Sequence, residues 1–124
     1  MHLLDTSAWI EFFIKSDKGE KVGNYLKTKP CYTTMVSLAE ISNWASKNNL
    51  DADKFVKFVT GLTQILDLSE SVSILAGKLN FQRKRVNKNW GMLDSFVLAS
   101  ALIYGLIILT KDHHFRDLKK VEIL

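Results

Sequence analysis

Cysteine occurs once, at Cys31, so the chain cannot form an internal disulfide. No Cys/His pattern with zinc-ligand spacing accompanies it, which excludes a zinc-built fold and makes a reducing cytoplasm the expected compartment. Proline also occurs once and glycine six times, too few for a linker, a low-complexity tract or a collagen-like repeat. No apolar run approaches the ~20 residues that span a bilayer. A secretory leader is not expected either: Asp5 stands where basic residues should lead, and Glu11 interrupts the apolar stretch. Neither sign of charge dominates. The 17 Lys and Arg against 13 Asp and Glu give a net +4, which by itself leans only weakly toward nucleic acid.

What is present builds a core. Hydrophobic residues make up 47% of 124 residues, and the expectation is one domain covering residues 1–124. The chain opens on a short apolar run, His2-Leu3-Leu4, that ends at Asp5 and the hydroxyl pair Thr6-Ser7. In a parallel sheet this is how a buried strand leaves the core, with its first polar residue at the carboxyl edge where ligands bind. Ala8 to Ile14 reads as a short helix, and Gly19 to Thr28 as an amphipathic one stopped by Lys29-Pro30. Cys31 to Thr34 is β-prone, and Met35 to Ala45 is a helix entered directly from it. Asp51 caps a helix with Phe55, Phe58, Val59 and Leu62 on one face; Gln64 to Leu68 is a strand candidate; Ser69 caps a longer helix that ends in Arg83-Lys84-Arg85. Leu93 to Leu102 is apolar or small except for Asp94 and Ser residues, a buried helix that Gly105 should cap. Ile107 to Thr110 is the best buried strand, and Val121 to Leu124 offers a last one. Alternating strands and helices predict a three-layer α/β/α sandwich around a parallel sheet.

Four acids take equivalent places in that plan. Asp5 ends the first strand, Glu40 lies early in the helix after the second, Asp94 opens the buried helix, and Asp112 follows the fourth strand by two residues. Right-handed crossovers bring all four to the carboxyl edge. Carboxylates gathered and buried there require a cation, and an all-oxygen donor set suits Mg²⁺ or Mn²⁺. Set on one ion, they would leave a remainder in which bases outnumber acids by roughly two to one, a basic surface around an acidic hole. Each acid also has a plain structural alternative. Asp5 fits a helix N-cap, Ser37-Leu38-Ala39-Glu40 fits a capping box, Asp94 fits a first-turn acid facing the helix dipole, and Asp112 fits a turn.

Four segments carry a resemblance: Leu3-Leu4-Asp5-Thr6-Ser7; Ser37-Leu38-Ala39-Glu40-Ile41; Leu93-Asp94-Ser95-Phe96-Val97-Leu98-Ala99-Ser100-Ala101; and Ile108-Leu109-Thr110-Lys111-Asp112-His113-His114-Phe115. In this order and spacing the chain resembles the PIN domains, specifically the small VapC-type toxins, over nearly its whole length. The resemblance implies a PIN-like fold and a Mg²⁺- or Mn²⁺-dependent endoribonuclease, the toxin of a type II toxin–antitoxin pair. It implies that Asp5, Glu40, Asp94 and Asp112 are the catalytic metal ligands, with Thr6, Ser7 and Thr110 in support. It also implies an RNA substrate, a cognate antitoxin and a homodimer. Many relatives carry an acid where this chain has His114, which alters the charge at the fourth corner.

Other residues admit two readings. Arg83, Lys84, Arg85 and Lys88 are either a solvated helix end or an RNA-backbone contact. His113 and His114 are expected as exposed loop residues, and Glu11 and Asp117 as surface acids. Trp9, Phe12, Phe13 and Trp44 are numerous for short helices, and an exposed subset would mark a protein interface. Two rival functions remain beside the nuclease. One is a catalytically silent RNA-binding or scaffold version of the same fold. The other is a phosphoacceptor signalling module using Lys111, for which Asp53 is poorly placed at a helix start.

Overall fold

The computed structural model describes residues 1–124. Strand β1 (His2–Leu4) is followed by helices α1 (Thr6–Phe13) and α2 (Asp17–Thr28), then β2 (Cys31–Thr34), α3 (Met35–Lys47), α4 (Ala52–Leu62) and β3 (Gln64–Leu66). The second half runs α5 (Glu70–Val86), α6 (Met92–Tyr104), β4 (Ile107–Thr110), a 3-10 turn (His113–Phe115) and β5 (Val121–Ile123). The five strands form one parallel sheet in the order β3-β2-β1-β4-β5. The chain therefore builds outward from β1 in one direction and returns to build outward from it in the other. The reversal falls between β1 and β4, and a crevice opens at the carboxyl ends of those two strands.

Strand alternation divides the core. Leu3 and Ile108 face α5 and α6 with Val97, Leu98, Trp90 and Phe115, whereas Leu4 and Leu109 face the other layer with Trp9, Val22, Ile41 and Val59. This is the expected α/β/α sandwich. The expected caps form as well: the side chains of Asp51 and Ser69 accept from Lys54 N–H and Val72 N–H, and Gly105 closes α6 at φ 67°. Two helices begin earlier than periodicity suggests. Thr6 and Ser7 already belong to α1, and α2 starts at Asp17 because Ser16 caps it by accepting from Gly19 N–H. Gly19 is required where α2 meets α1, since a Cβ there would lie 2.1 Å from the Glu11 carbonyl oxygen.

Of the aromatic residues on the early helices one is core, and Phe12, Phe13 and Trp44 are half-buried. Trp9 is fully buried and its indole N–H donates to Thr33 Oγ1 at 3.1 Å, so it is no part of an exposed interface. Phe13 stacks between Trp9 and Trp44 and meets Phe55 edge-on at 4.8 Å. What remains open is a depression of about 390 Å³ lined by Phe12, Phe13, Phe55, Phe58, Lys15 and Lys54.

Candidate functional site

The register of β1 on β4 sets the first corner. Leu4 pairs with Leu109, so the next residues, Asp5 and Thr110, lie side by side at the carboxyl ends of their strands. Asp5 is the N-cap of α1 by position, yet its side chain makes no capping bond. Its Oδ2 instead accepts from Thr110 Oγ1 at 2.8 Å and from Ser7 Oγ at 3.1 Å. Glu40 is likewise no capping residue: Thr34 caps α3 through Ser37 N–H, and the Glu40 carboxylate accepts from Thr6 Oγ1 at 2.7 Å. Asp94 and Asp112 do serve their local turns, accepting from Gly91 N–H at 3.0 Å and His114 N–H at 2.9 Å. Their carboxylates nonetheless converge. One ligand atom each from Asp94, Asp112 and His114 lie within 4.8 Å of one another.

The four acids are coupled in sequence around the crevice. Burial pushes the Asp5 carboxyl up from 3.8 to about 6, and the Glu40 charge adds to it against the hydrogen bonds from Thr110 and Ser7. Glu40 is raised first by burial and then by Asp94. Asp94 is raised first by burial and then by Asp112, while the Gly91 N–H, His114 and Lys84 pull it down. No Lys or Arg forms a salt bridge with any of the four. Asp5 is buried and the other three are half-buried, with no Lys or Arg paired to them. Carboxylates gathered in this way are matched to a cation, and the oxygens of Asp94 and Asp112 with the His114 imidazole nitrogen lie close enough to share a divalent ion.

A model of the PIN domain matches residues 2–121. The chain belongs to the PIN domain family. No curated protein sequence matches it, but solved structures do. A toxin–antitoxin complex from Klebsiella pneumoniae superposes with a TM-score of 0.79 at 18% identity, covering 98% of this chain and 96% of that one. VapC20 of Mycobacterium tuberculosis, described as a Sarcin-Ricin loop cleaving toxin, gives 0.80 at 14% identity, covering 99% and 98%. VapBC2 of Rickettsia felis, bound to a DNA fragment from their promoter, gives 0.77 at 15%, covering 99% and 98%. At such identities these structures establish the PIN fold.

Within this PIN domain several residues depart from expectation. Arg83 is not part of a basic RNA-facing patch. It is buried, forks onto Asp117 at 2.7 and 2.9 Å, donates to the His114 carbonyl at 2.8 Å and stacks on Trp90. That ion pair holds the Asp117 carboxyl below its usual range, so Asp117 is a tether for the segment after Asp112 and not a free surface acid. Lys84, Arg85 and Lys88 remain exposed. Glu11 is buried, accepting from Ser16 Oγ at 3.0 Å and Lys111 Nζ at 3.2 Å. His114 joins Asp112 directly, Nδ1 to Oδ1 at 3.3 Å, whereas adjacency to His113 had suggested a plain loop residue. The signal for it was its place two residues after a strand-end acid, where a tight turn folds side chain i+2 back on i. Lys111 is paired with Glu11 and Asp53 lies in the first turn of α4, so nothing assembles a phosphoacceptor pocket.

Proposed function

We propose that this PIN domain is a metal-dependent endoribonuclease and the toxin of a type II toxin–antitoxin pair. The observation that carries this reading is the coupled row Asp5–Glu40–Asp94–Asp112 at the switch-point crevice. These four carboxylates are the proposed catalytic ligands of Mg²⁺ or Mn²⁺, with His114 beside the Asp94–Asp112 pair. A divalent ion held there would lower the pKa of an attacking water and relieve charge on the phosphoryl oxygens. The chain's own part is orientation. Thr110 and Ser7 fix the Asp5 carboxylate, Thr6 fixes Glu40, and Gly91 N–H fixes one oxygen of Asp94 while leaving the other free. Exposed Lys84, Arg85 and Lys88 supply attraction for an RNA backbone.

The partner follows from the same reading. An antitoxin segment would lay an apolar helix into the Phe12–Phe13–Phe55–Phe58 depression and place an Arg among the acids, where its planar fork bridges two carboxylates. Structural neighbours that are toxin–antitoxin complexes support that choice. A homodimer through exposed Ile74 and Phe81 of α5 and Leu102 and Ile103 of α6, in a reducing cytoplasm, completes the proposal.

The deciding experiment incubates purified protein with structured RNA in Mg²⁺ or Mn²⁺, and again in excess EDTA. Cleavage should require the ion, and Asp94→Asn should abolish cleavage while remaining folded. Full activity in chelator refutes the metal reading. RNA binding without cleavage in either ion favours the silent, scaffold form of the fold.

A further inference from the structure

A row of four carboxylates repels the phosphodiester it is meant to receive, so a cation beside the row must steer the strand. One lies next in the chain to Asp112. The Lys111 backbone is pinned by its N–H, which donates at 2.9 Å to Ser7 Oγ, the same hydroxyl that donates to Asp5. Its side chain turns toward α1, where Nζ lies 3.2 Å from Glu11 Oε2. Glu11 is 7% exposed, and its other oxygen is already taken by Ser16 Oγ. The Lys111 side chain, by contrast, is 48% exposed. The ammonium therefore stands at the wall of a depression of about 280 Å³ that Ser7, Ile10, Glu11 and Asp112 also line, and it is the only cation there.

From this arrangement we infer that Lys111 is an RNA-phosphate-binding residue beside the acid row, its ammonium resting against Glu11 in the free protein. The inference rests on the ribonuclease reading and adds to it a residue and a strand path. An ammonium has three donors and Glu11 occupies one, leaving two for phosphoryl oxygens. Because the Lys111 side chain is 48% exposed, its ammonium can reach a phosphate while keeping its contact to Glu11, which spares the buried carboxylate from losing its partner. Across the crevice the charge of Lys84 acts on Asp94. Lys84 on the α5 side of Asp94 and Lys111 on the α1 side of Asp112 give an RNA strand a cation on each of those flanks.

The test measures binding of a fluorescein-labelled RNA hairpin by anisotropy across a salt series, in Mg²⁺, with Asp94→Asn present throughout to prevent cleavage. Each phosphate contact contributes about 0.7 to the slope of log K against log salt for single strands. Lys111→Gln should lower that slope by about 0.7 and weaken binding several-fold at low salt, and Lys111→Arg should restore both. Glu11→Gln breaks the same ion pair but keeps the cation, so its slope should equal that of the unaltered chain. An unchanged slope in Lys111→Gln, or an equal loss in Glu11→Gln, overturns the inference and leaves the ribonuclease reading intact. An unaltered protein that neither binds nor cleaves the hairpin overturns that reading, and this one with it.

Discussion

Replacing Asp5 with Asn should stabilise the metal-free protein at neutral pH, although the substitution removes a member of the proposed catalytic row. The Asp5 carboxyl is raised from 3.8 to about 6, chiefly by burial. A displacement of about two pH units corresponds to ~3 kcal/mol between the protonated and ionised forms. The folded state binds the proton more tightly than the unfolded chain, so between about pH 4 and 6 it carries more protons and stability falls as pH rises. The penalty is absent below about pH 4 and complete above about pH 7. Asn matches the neutral acid in shape, and its Oδ1 can still accept from Thr110 and Ser7. Its amide N–H groups need partners that the carboxylate did not, which offsets about 1 kcal/mol. The net gain is about 2 kcal/mol at pH 7.5, or roughly 8 °C in melting temperature for a chain of this size. Circular-dichroism melts of parent and variant in EDTA at pH 4.5, 6 and 7.5 would measure it. The gap should close toward pH 4.5, and added Mn²⁺ should raise the parent more than the variant. A variant that melts at or below the parent at pH 7.5, or a gap independent of pH, refutes the picture of a buried, unpaired carboxylate.

Trp9→Ala removes a fully buried side chain and orphans its hydrogen bond to Thr33, so chemical denaturation should register a loss of about 3–5 kcal/mol. Phe58→Ala, in the open depression and 45% exposed, should cost under ~1 kcal/mol while weakening inhibition by the product of the neighbouring reading frame. Gly19→Ala should cost about 2–3 kcal/mol in the same assay, because the clash is with Glu11 and Phe12 backbone that no side-chain rotation relieves.

Local chemistry was legible in the sequence. Strand and helix alternation, the caps at Asp51 and Ser69 and the left-handed Gly105 each depend on residues within a turn or two, and each forms as the residues suggest. The same locality made Asp5 and Glu40 ambiguous with helix caps, since a cap and a site residue occupy the same place in a pattern. Only the register of β1 on β4 and the reach of Thr6 to Glu40 separate the two roles, by giving those carboxylates other donors.

Pairings across long stretches of chain were decided by the tertiary structure. A basic run at a helix end looks the same whether it meets water or a carboxylate. Arg83 finds Asp117, 34 residues on, because α5 packs beside the segment leaving β4. Glu11 finds Lys111 across 100 residues for a similar reason: the switch point puts α1 and the end of β4 on one edge. Burial follows the same logic. Trp9 and Phe58 are both aromatic residues on amphipathic helices, yet one is core and the other surface. The sequence alone therefore determined which segments become strands and helices and which end of each carries an acid, because periodicity and capping are short-range. Which side chains meet, and which acids lie together in one crevice, was decided by strand order, because a sheet's sequence of neighbours is fixed only when the layers pack.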